Sequence, residues 1–321
     1  MSSVDISDVK AVRDALANLP PNYMKAAATK HITVQQAISN NKSGTALSRK
    51  TQDKYFTMFR QLLIWAVDEG YIVKVPGQGV KVAGVGKSNP AERRHPYSTE
   101  QLKRIFSSPL YTGHKSEKCR HEPGQAVIRD GKFWVPLIAL YSGMRMGEIV
   151  QLLVADIRQE AGVWYFDVNE GEEDEKALKT DSSKRRVPVH SVLIEAGLLG
   201  LVKQKSAGDR IFTDIQRGND GYFSHNFSKW YGRYSRKIGA HTSKTAFHSF
   251  RHTFKDALQR AEVQEYISKA LLGHADKSVH SQYGSGPGLK VLQQAVEAVA
   301  YEIDLSFLLG GLKQNPHTTH L

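Results

Sequence analysis

Acidic residues are the scarcer charge in this sequence: 32 Asp and Glu stand against 44 Lys and Arg over 321 residues, leaving a formal charge of +12 and a pI near 9.5. That imbalance favours a polyanionic partner, because neutralising phosphates releases the counterions condensed on nucleic acid. Cysteine is scarcer still. Cys119 stands alone, which excludes an intrachain disulfide and suits a reducing compartment, so a cytoplasmic location is expected. No run of about 18 apolar residues is present to cross a membrane, and residues 1–5 lack the charged-then-apolar opening of a signal peptide. Also missing are a phosphate-cradling glycine loop, a paired-carboxylate metal motif and zinc-ligand spacing. His114, Cys119 and His121 are only three ligands in a polar stretch, so they read as a surface insertion, and neither a metal nor a cofactor is expected.

The length exceeds what one hydrophobic core usually fills, and two domains follow. Residues 1–95 carry 14 Lys and Arg against 7 Asp and Glu, whereas residues 96–321 carry 30 against 25, so the shorter part is the more basic per residue. Residues 1–80 read as a helical domain. Thr33 suits the N-cap of one helix, and Ser48 or Thr51 that of a longer one with Tyr55, Phe56, Phe59, Leu62, Leu63 and Ala66 as its apolar stripe. Arg49, Lys50, Lys54 and Arg60 fall mostly off that stripe, as on a helix laid against a phosphate backbone. Residues 75–98 are rich in proline and glycine without helical period, and a basic linker is expected at 81–97, with Arg93 and Arg94 following the nucleic acid.

The second domain, 98–321, is expected to be mainly helical with a small sheet, so that the chain is mainly α within an α+β class. Thr99 resembles an N-cap. An apolar helix over 132–141 is interrupted at Pro136, and Gly143 breaks it before a second helix from Arg145 to about Val154. Residues 163–168 and 186–189 read as strands of a hairpin. Between them an acidic run over 170–175 gives way to basic residues 179–186, as in a loop whose basic limb, with Lys184 and Arg185, faces nucleic acid. Lys229, Arg233, Arg236, Lys237 and Lys244, interleaved with Trp230, Tyr231 and Tyr234, suit phosphate contacts as well as a solvated helix face.

Chemistry concentrates in four places. Arg145 stands where a helix begins, beside free N–H groups and a partial positive charge, and its planar guanidinium can grip two oxygens of an anion. Glu148, one turn on, is placed to orient it through an ion pair. His248 and Arg251 project together from a helix whose buried stripe is Phe250, Phe254, Ala257 and Leu258. His274 follows Leu271-Leu272-Gly273, and Tyr283 lies nine residues later beside Gly284, Ser285 and Gly286. Two arginines for a phosphate, two histidines for protons and a tyrosine for a covalent bond describe a phosphodiester-cutting site.

In that order the residues resemble the tyrosine recombinases of the phage-integrase family, over roughly residues 97–310. The resemblance implies a helical core-binding domain followed by a mixed helical catalytic domain. It further implies catalytic roles for Arg145, His248, Arg251, His274 and the nucleophile Tyr283, with Lys179 as the hairpin lysine and Lys176 and Lys184 as alternatives. The implied reaction cleaves and rejoins DNA through a 3′-phosphotyrosyl intermediate and a Holliday junction, without ATP or metal, to integrate or excise a mobile element. The implied partners are double-stranded attachment sites, three further copies of the chain in a tetramer on DNA, and DNA-bending or excisionase accessory proteins in the nucleoid. In similar enzymes an apolar C-terminal helix such as that expected after Leu289 docks on a neighbouring subunit, although docking on its own domain fits the pattern as well. Residue 280 is His where many relatives have threonine, and the arm-type domain that many such integrases carry is not recognisable before residue 20. The competing reading is a non-catalytic DNA-binding accessory protein that retains the fold.

Overall fold

The computed structural model describes residues 4–23, 31–84, 94–170, 184–274 and 286–309. The chain forms two compact units, Met1–Arg93 and Arg94–Leu321.

The first unit is helical: α1 (Ile6–Asn18), α2 (Val34–Ser39) and α3 (Arg49–Asp68). Thr33 and Gln36 close a reciprocal capping box on α2, and the Ser48 hydroxyl accepts from the Thr51 amide to start α3. Of the expected stripe on α3, Phe56 and Leu63 are buried with Val9 and Phe59 joins them, whereas Tyr55 and Leu62 are exposed, so the buried face is narrower than the spacing predicts. Val82 completes this core, and Tyr97 is buried in the second unit. Both ends of the expected 81–97 linker are therefore packed.

The second unit begins with α4 (Thr99–Phe106), α5 (Pro109–Thr112) and α6 (Gly131–Ser142). Ser98, not Thr99, caps α4, because its hydroxyl accepts from the Gln101 amide while the Gln101 side chain returns to the Ser98 amide. The segment before α6, expected as a surface insertion, is partly buried. His114 is fully buried and bridges Pro123 and Ala126, and buried Arg120 holds the carboxylate of Asp130, which caps α6. Helix α6 is buried along nearly its whole length and runs through Pro136, which removes one helical donor without ending the helix.

Helix α7 (Met146–Val150) stops well before Val154. The backbone beyond it is claimed elsewhere: the amides of Val154 and Ala155 donate to the carbonyls of Asp209 and Ala207, and the Ile211 amide donates to Leu152. A short 3₁₀ turn at Val154–Asp156 then leads into a strand absent from the sequence reading. The sheet has three antiparallel strands in the order β1 (Ile157–Glu160), β2 (Val163–Val168), β3 (Arg185–Pro188), with Phe166 opposite Ile157 on one side and Val187 on the other. In β1 only Ile157 is buried, so it lacks the alternation that marks a strand in sequence.

Next come α8 (Ser191–Glu195), α9 (Leu198–Lys203), α10 (Phe223–Lys237), α11 (Ser249–Arg260), α12 (Glu265–Leu272) and α13 (Leu289–Glu297). Helix α11 packs on α6, and Phe250 on α11 sits in an aromatic cluster, its ring 4.8 Å from Tyr97, 5.3 Å from Phe247 and 5.8 Å from Tyr231. The expected subunit-exchange helix, α13, is docked on its own unit. Leu292, Ala295 and Val296 enter the main core, and Glu297 accepts from the amide and hydroxyl of Ser191, so burial and polar bonds both hold it there. Among the described residues no helix is long and apolar enough to cross a membrane.

Phe250 carries α11 on the core, and replacing it leaves a large cavity. Phe250→Ala is expected to cost about 3–5 kcal/mol in urea denaturation.

Candidate active site

Arg251 follows Phe250 on α11, so the aromatic cluster that buries one residue delivers the next to the end of α6. Its Nη1 donates to the carbonyl of Gly143 at 2.9 Å and its Nη2 donates to the carbonyl of Leu272. Gly143 lies two residues before Arg145, and Leu272 two before His274. One guanidinium thus ties together the chain segments that present both. Gly143 adopts φ +62°, and a Cβ there would lie 2.4 Å from the Phe254 ring, so this corner requires glycine for its conformation and for its packing. Burial, and then the charges of Arg145 and Arg185, push the Arg251 pKa down to about 9 against the opposing pull of Glu148.

Arg145 caps α7 and is anchored at both ends by Glu148, which accepts its backbone amide and its Nη1, each at 2.7 Å. Glu148 is 5 % exposed. Burial alone would raise its pKa. Hydrogen bonds and charge from Arg185, and then bonds from Arg145, outweigh that and hold the carboxyl below its ordinary value. The second clamp on this carboxylate is Arg185, with Nη2 at 2.8 Å from Oε2 and Nη1 at 3.2 Å from Oε1.

The two histidines lie at helix ends. His248 is exposed at the N-cap of α11, its ring edge-on to His252 with centroids 5.1 Å apart. His274 follows Gly273, whose φ of +61° ends α12, and its amide donates to the Lys269 carbonyl at 3.0 Å. Burial, then the positive charges of Arg251, Arg145, Lys255 and Arg185, hold the His274 pKa below the ordinary histidine value, so the neutral ring is favoured at neutral pH. His252, with its pKa also lowered by burial, is the neighbour that the H-x-x-R spacing did not single out. Lys176, Lys179 and Tyr283 lie outside the described residues, as does Arg93.

The expected DNA-contacting residues divide. Arg49, Lys50 and Lys54 are exposed on α3 in the first unit. In the second unit Arg94 donates to the Ser243 carbonyl at 2.9 Å, and the His95 amide donates to that of Lys244, which sets Arg94 beside exposed Lys244 ahead of α11. Lys184 pairs with Glu170 at 2.6 Å and is half exposed. Arg185 differs from the expectation of a phosphate contact: its side chain is 6 % exposed and points inward, because Glu148 and the Leu271 carbonyl both accept from it. In α10, Tyr231 and Tyr234 are buried, and Trp230 stacks on Tyr234 at 5.2 Å. Among the described residues no three His, Cys, Asp or Glu side chains are grouped to hold a metal.

Residues 100–285 match the family model described as the phage integrase family. The chain belongs to the phage integrase family of tyrosine recombinases. It is a site-specific DNA recombinase. It is 25 % identical over 294 residues to a tyrosine recombinase XerC-like protein of Caldanaerobacter subterraneus subsp. tengcongensis, covering 83 % of this chain and 70 % of that one. Among solved structures it is similar to the integrase of mycobacterium phage Brujita, with 15 % identity, 94 % and 89 % of the two chains covered and a TM-score of 0.42. It is also similar to the XerH site-specific recombinase, with 18 % identity, 79 % and 69 % coverage and a TM-score of 0.49.

Glu148 is the buried counter-charge of this recombinase site, and Glu148→Gln leaves two arginines facing a neutral amide. The substitution is expected to cost about 3–5 kcal/mol in urea unfolding at neutral pH. Because the folded pKa lies below 4.5, the wild-type contribution is complete above that value and is lost as pH falls through the lowered one. The Gln variant should lack this component in a series of unfolding curves from pH 6 downward.

Proposed function

We propose that this recombinase cleaves and rejoins DNA through a 3′-phosphotyrosyl bond to Tyr283, with Arg145 and Arg251 holding the scissile phosphate. The observation that carries the reading is the pair of bonds from Arg251 to the carbonyls of Gly143 and Leu272, which gathers Arg145, Arg251 and His274 at one corner. Each terminal nitrogen of a guanidinium bears two N–H groups, so a nitrogen that donates to a carbonyl retains a second donor for a phosphate oxygen.

A tyrosine hydroxyl with an ordinary pKa of about 10 is a weak nucleophile at neutral pH. His248, on the same helix as Arg251, is assigned as the acceptor of its proton. As the Tyr283 oxygen bonds to phosphorus in line, the bond to the 5′ oxygen breaks and negative charge builds on the non-bridging oxygens. Two guanidinium groups offset that charge, and His274, held neutral before the anion arrives, donates a hydrogen bond to it. Lys179 is assigned as the donor that protonates the departing 5′ oxygen, with Lys176 and Lys184 as alternatives. The phosphotyrosyl ester retains the energy of the broken link, so a 5′-hydroxyl can attack it and reseal the strand without ATP or a metal ion.

On this reading four copies act on two double-stranded sites and exchange one strand pair at a time through a Holliday junction. Accessory DNA-bending or excisionase proteins set the direction in which a mobile element moves. The work is done in the cytoplasm, on the nucleoid.

The test is adduct trapping on nicked suicide duplexes of the attachment site, followed by denaturation in SDS. A DNA-linked band that survives, and that Tyr283→Phe eliminates while the duplex is still bound, is the expected outcome. A band that persists in the Phe variant moves the nucleophile elsewhere, and tight binding without any adduct favours an accessory protein. Arg94→Ala and Lys244→Ala are each expected to reduce the slope of log K against log salt by about 0.9 per lost phosphate contact.

A further inference from the structure

Arg185 opens the last strand of the sheet, where a basic residue beside a loop would ordinarily face solvent, yet its side chain is 6 % exposed. A buried guanidinium is costly unless it is paired and its donors are used. Here Nη1 and Nη2 grip the two oxygens of Glu148, and Nε donates to the Leu271 carbonyl at 2.7 Å. The same two oxygens accept the amide and Nη1 of Arg145. Leu271 belongs to the last turn of α12, three residues before His274. The Arg185 stem runs close to Gly273, where a Cβ would lie 3.1 Å from both Cδ and Nη1, tighter than an ordinary contact.

We infer that Arg185 is a positioning residue that couples Arg145 to His274, by holding in one planar fork the carboxylate that orients the first and the helix end that presents the second. The inference rests on the reading of this corner as the phosphoryl-transfer site. It assigns a task to the sheet: β3 delivers the brace behind the site. A lysine at 185 would retain a charge but could not serve two carboxylate oxygens and a carbonyl with one nitrogen in fixed geometry. Without the fork, Glu148 keeps its bonds to Arg145, and the end of α12 keeps its tie through Arg251 but loses the one through Arg185. Among the described residues the positive charges of Arg251, Arg145, Lys255 and Arg185 bear on His274, so removing one of them also relieves the electrostatic penalty on a protonated ring.

The test uses the full chain with Arg185→Gln and Arg185→Lys, in single-turnover cleavage of the nicked duplex at saturating protein. Both variants are expected to lower the cleavage rate constant roughly 100-fold, the scale of a small misplacement of reacting groups, while duplex affinity stays within about 3-fold. A role in folding alone would lower the reacting fraction and leave the rate constant of that fraction unchanged, which overturns the inference. Combining Arg185→Gln with Glu148→Gln should slow cleavage little more than Glu148→Gln alone, whereas additive losses would show that Arg185 does not act through the carboxylate. A second readout stands apart from catalysis: NMR titration of His274 in the free protein, together with the Nε signal of Arg145. Arg185→Gln should raise the His274 pKa and shift the Arg145 signal, even if the wild type forms no adduct and the phosphotyrosyl reading itself fails. If both signals stay at their wild-type values, no coupling runs through Arg185.

Discussion

The second unit is organised around the buried guanidinium of Arg251. Arg251 is brought inside by the aromatic packing of Phe250, and once there it must spend its donors on carbonyls, because an unpaired cation in the interior would be expelled or discharged. The carbonyls within reach belong to Gly143 and Leu272, and both end helices. The left-handed conformations of Gly143 and Gly273 that terminate α6 and α12 are therefore part of the same constraint.

This arrangement concentrates positive charge. Arg145, Arg185 and Arg251 influence one another closely enough that burial and mutual repulsion depress the Arg251 pKa, and burial together with the same charges lowers that of His274. Among the described residues the buried carboxylate of Glu148 offsets the repulsion. Gathering like charges in this way is costly, and the surrounding core carries the cost. The rigidity of α6, buried along nearly its whole length, is what allows the corner to stay in place.

Much of the local structure was legible before any coordinates. Thr33 and Ser48 cap the helices that their side chains and the following apolar residues indicate, and residues 163–168 form a strand because their β-branched and aromatic content fits a half-buried pleat. The reading slipped where a choice depended on remote partners. Ser98 displaces Thr99 as a cap by one residue, since either hydroxyl fits locally. Helix α7 ends early because residues 207–211 bond to the backbone of residues 152–155, and β1 was missed because its outward side chains are polar.

The sequence alone determined which residue types are available and in what order along the chain, and the family is readable from that order. It likewise determined the basic character. Only the tertiary structure decided which charges face inward: of two adjacent arginines in one strand, Arg186 pairs with Glu160 at the surface and Arg185 becomes a buried brace. The reason is physical. Strand alternation sends neighbours to opposite faces, but which face is the interior depends on what the rest of the chain packs against it, and here that is Glu148 and the end of α12.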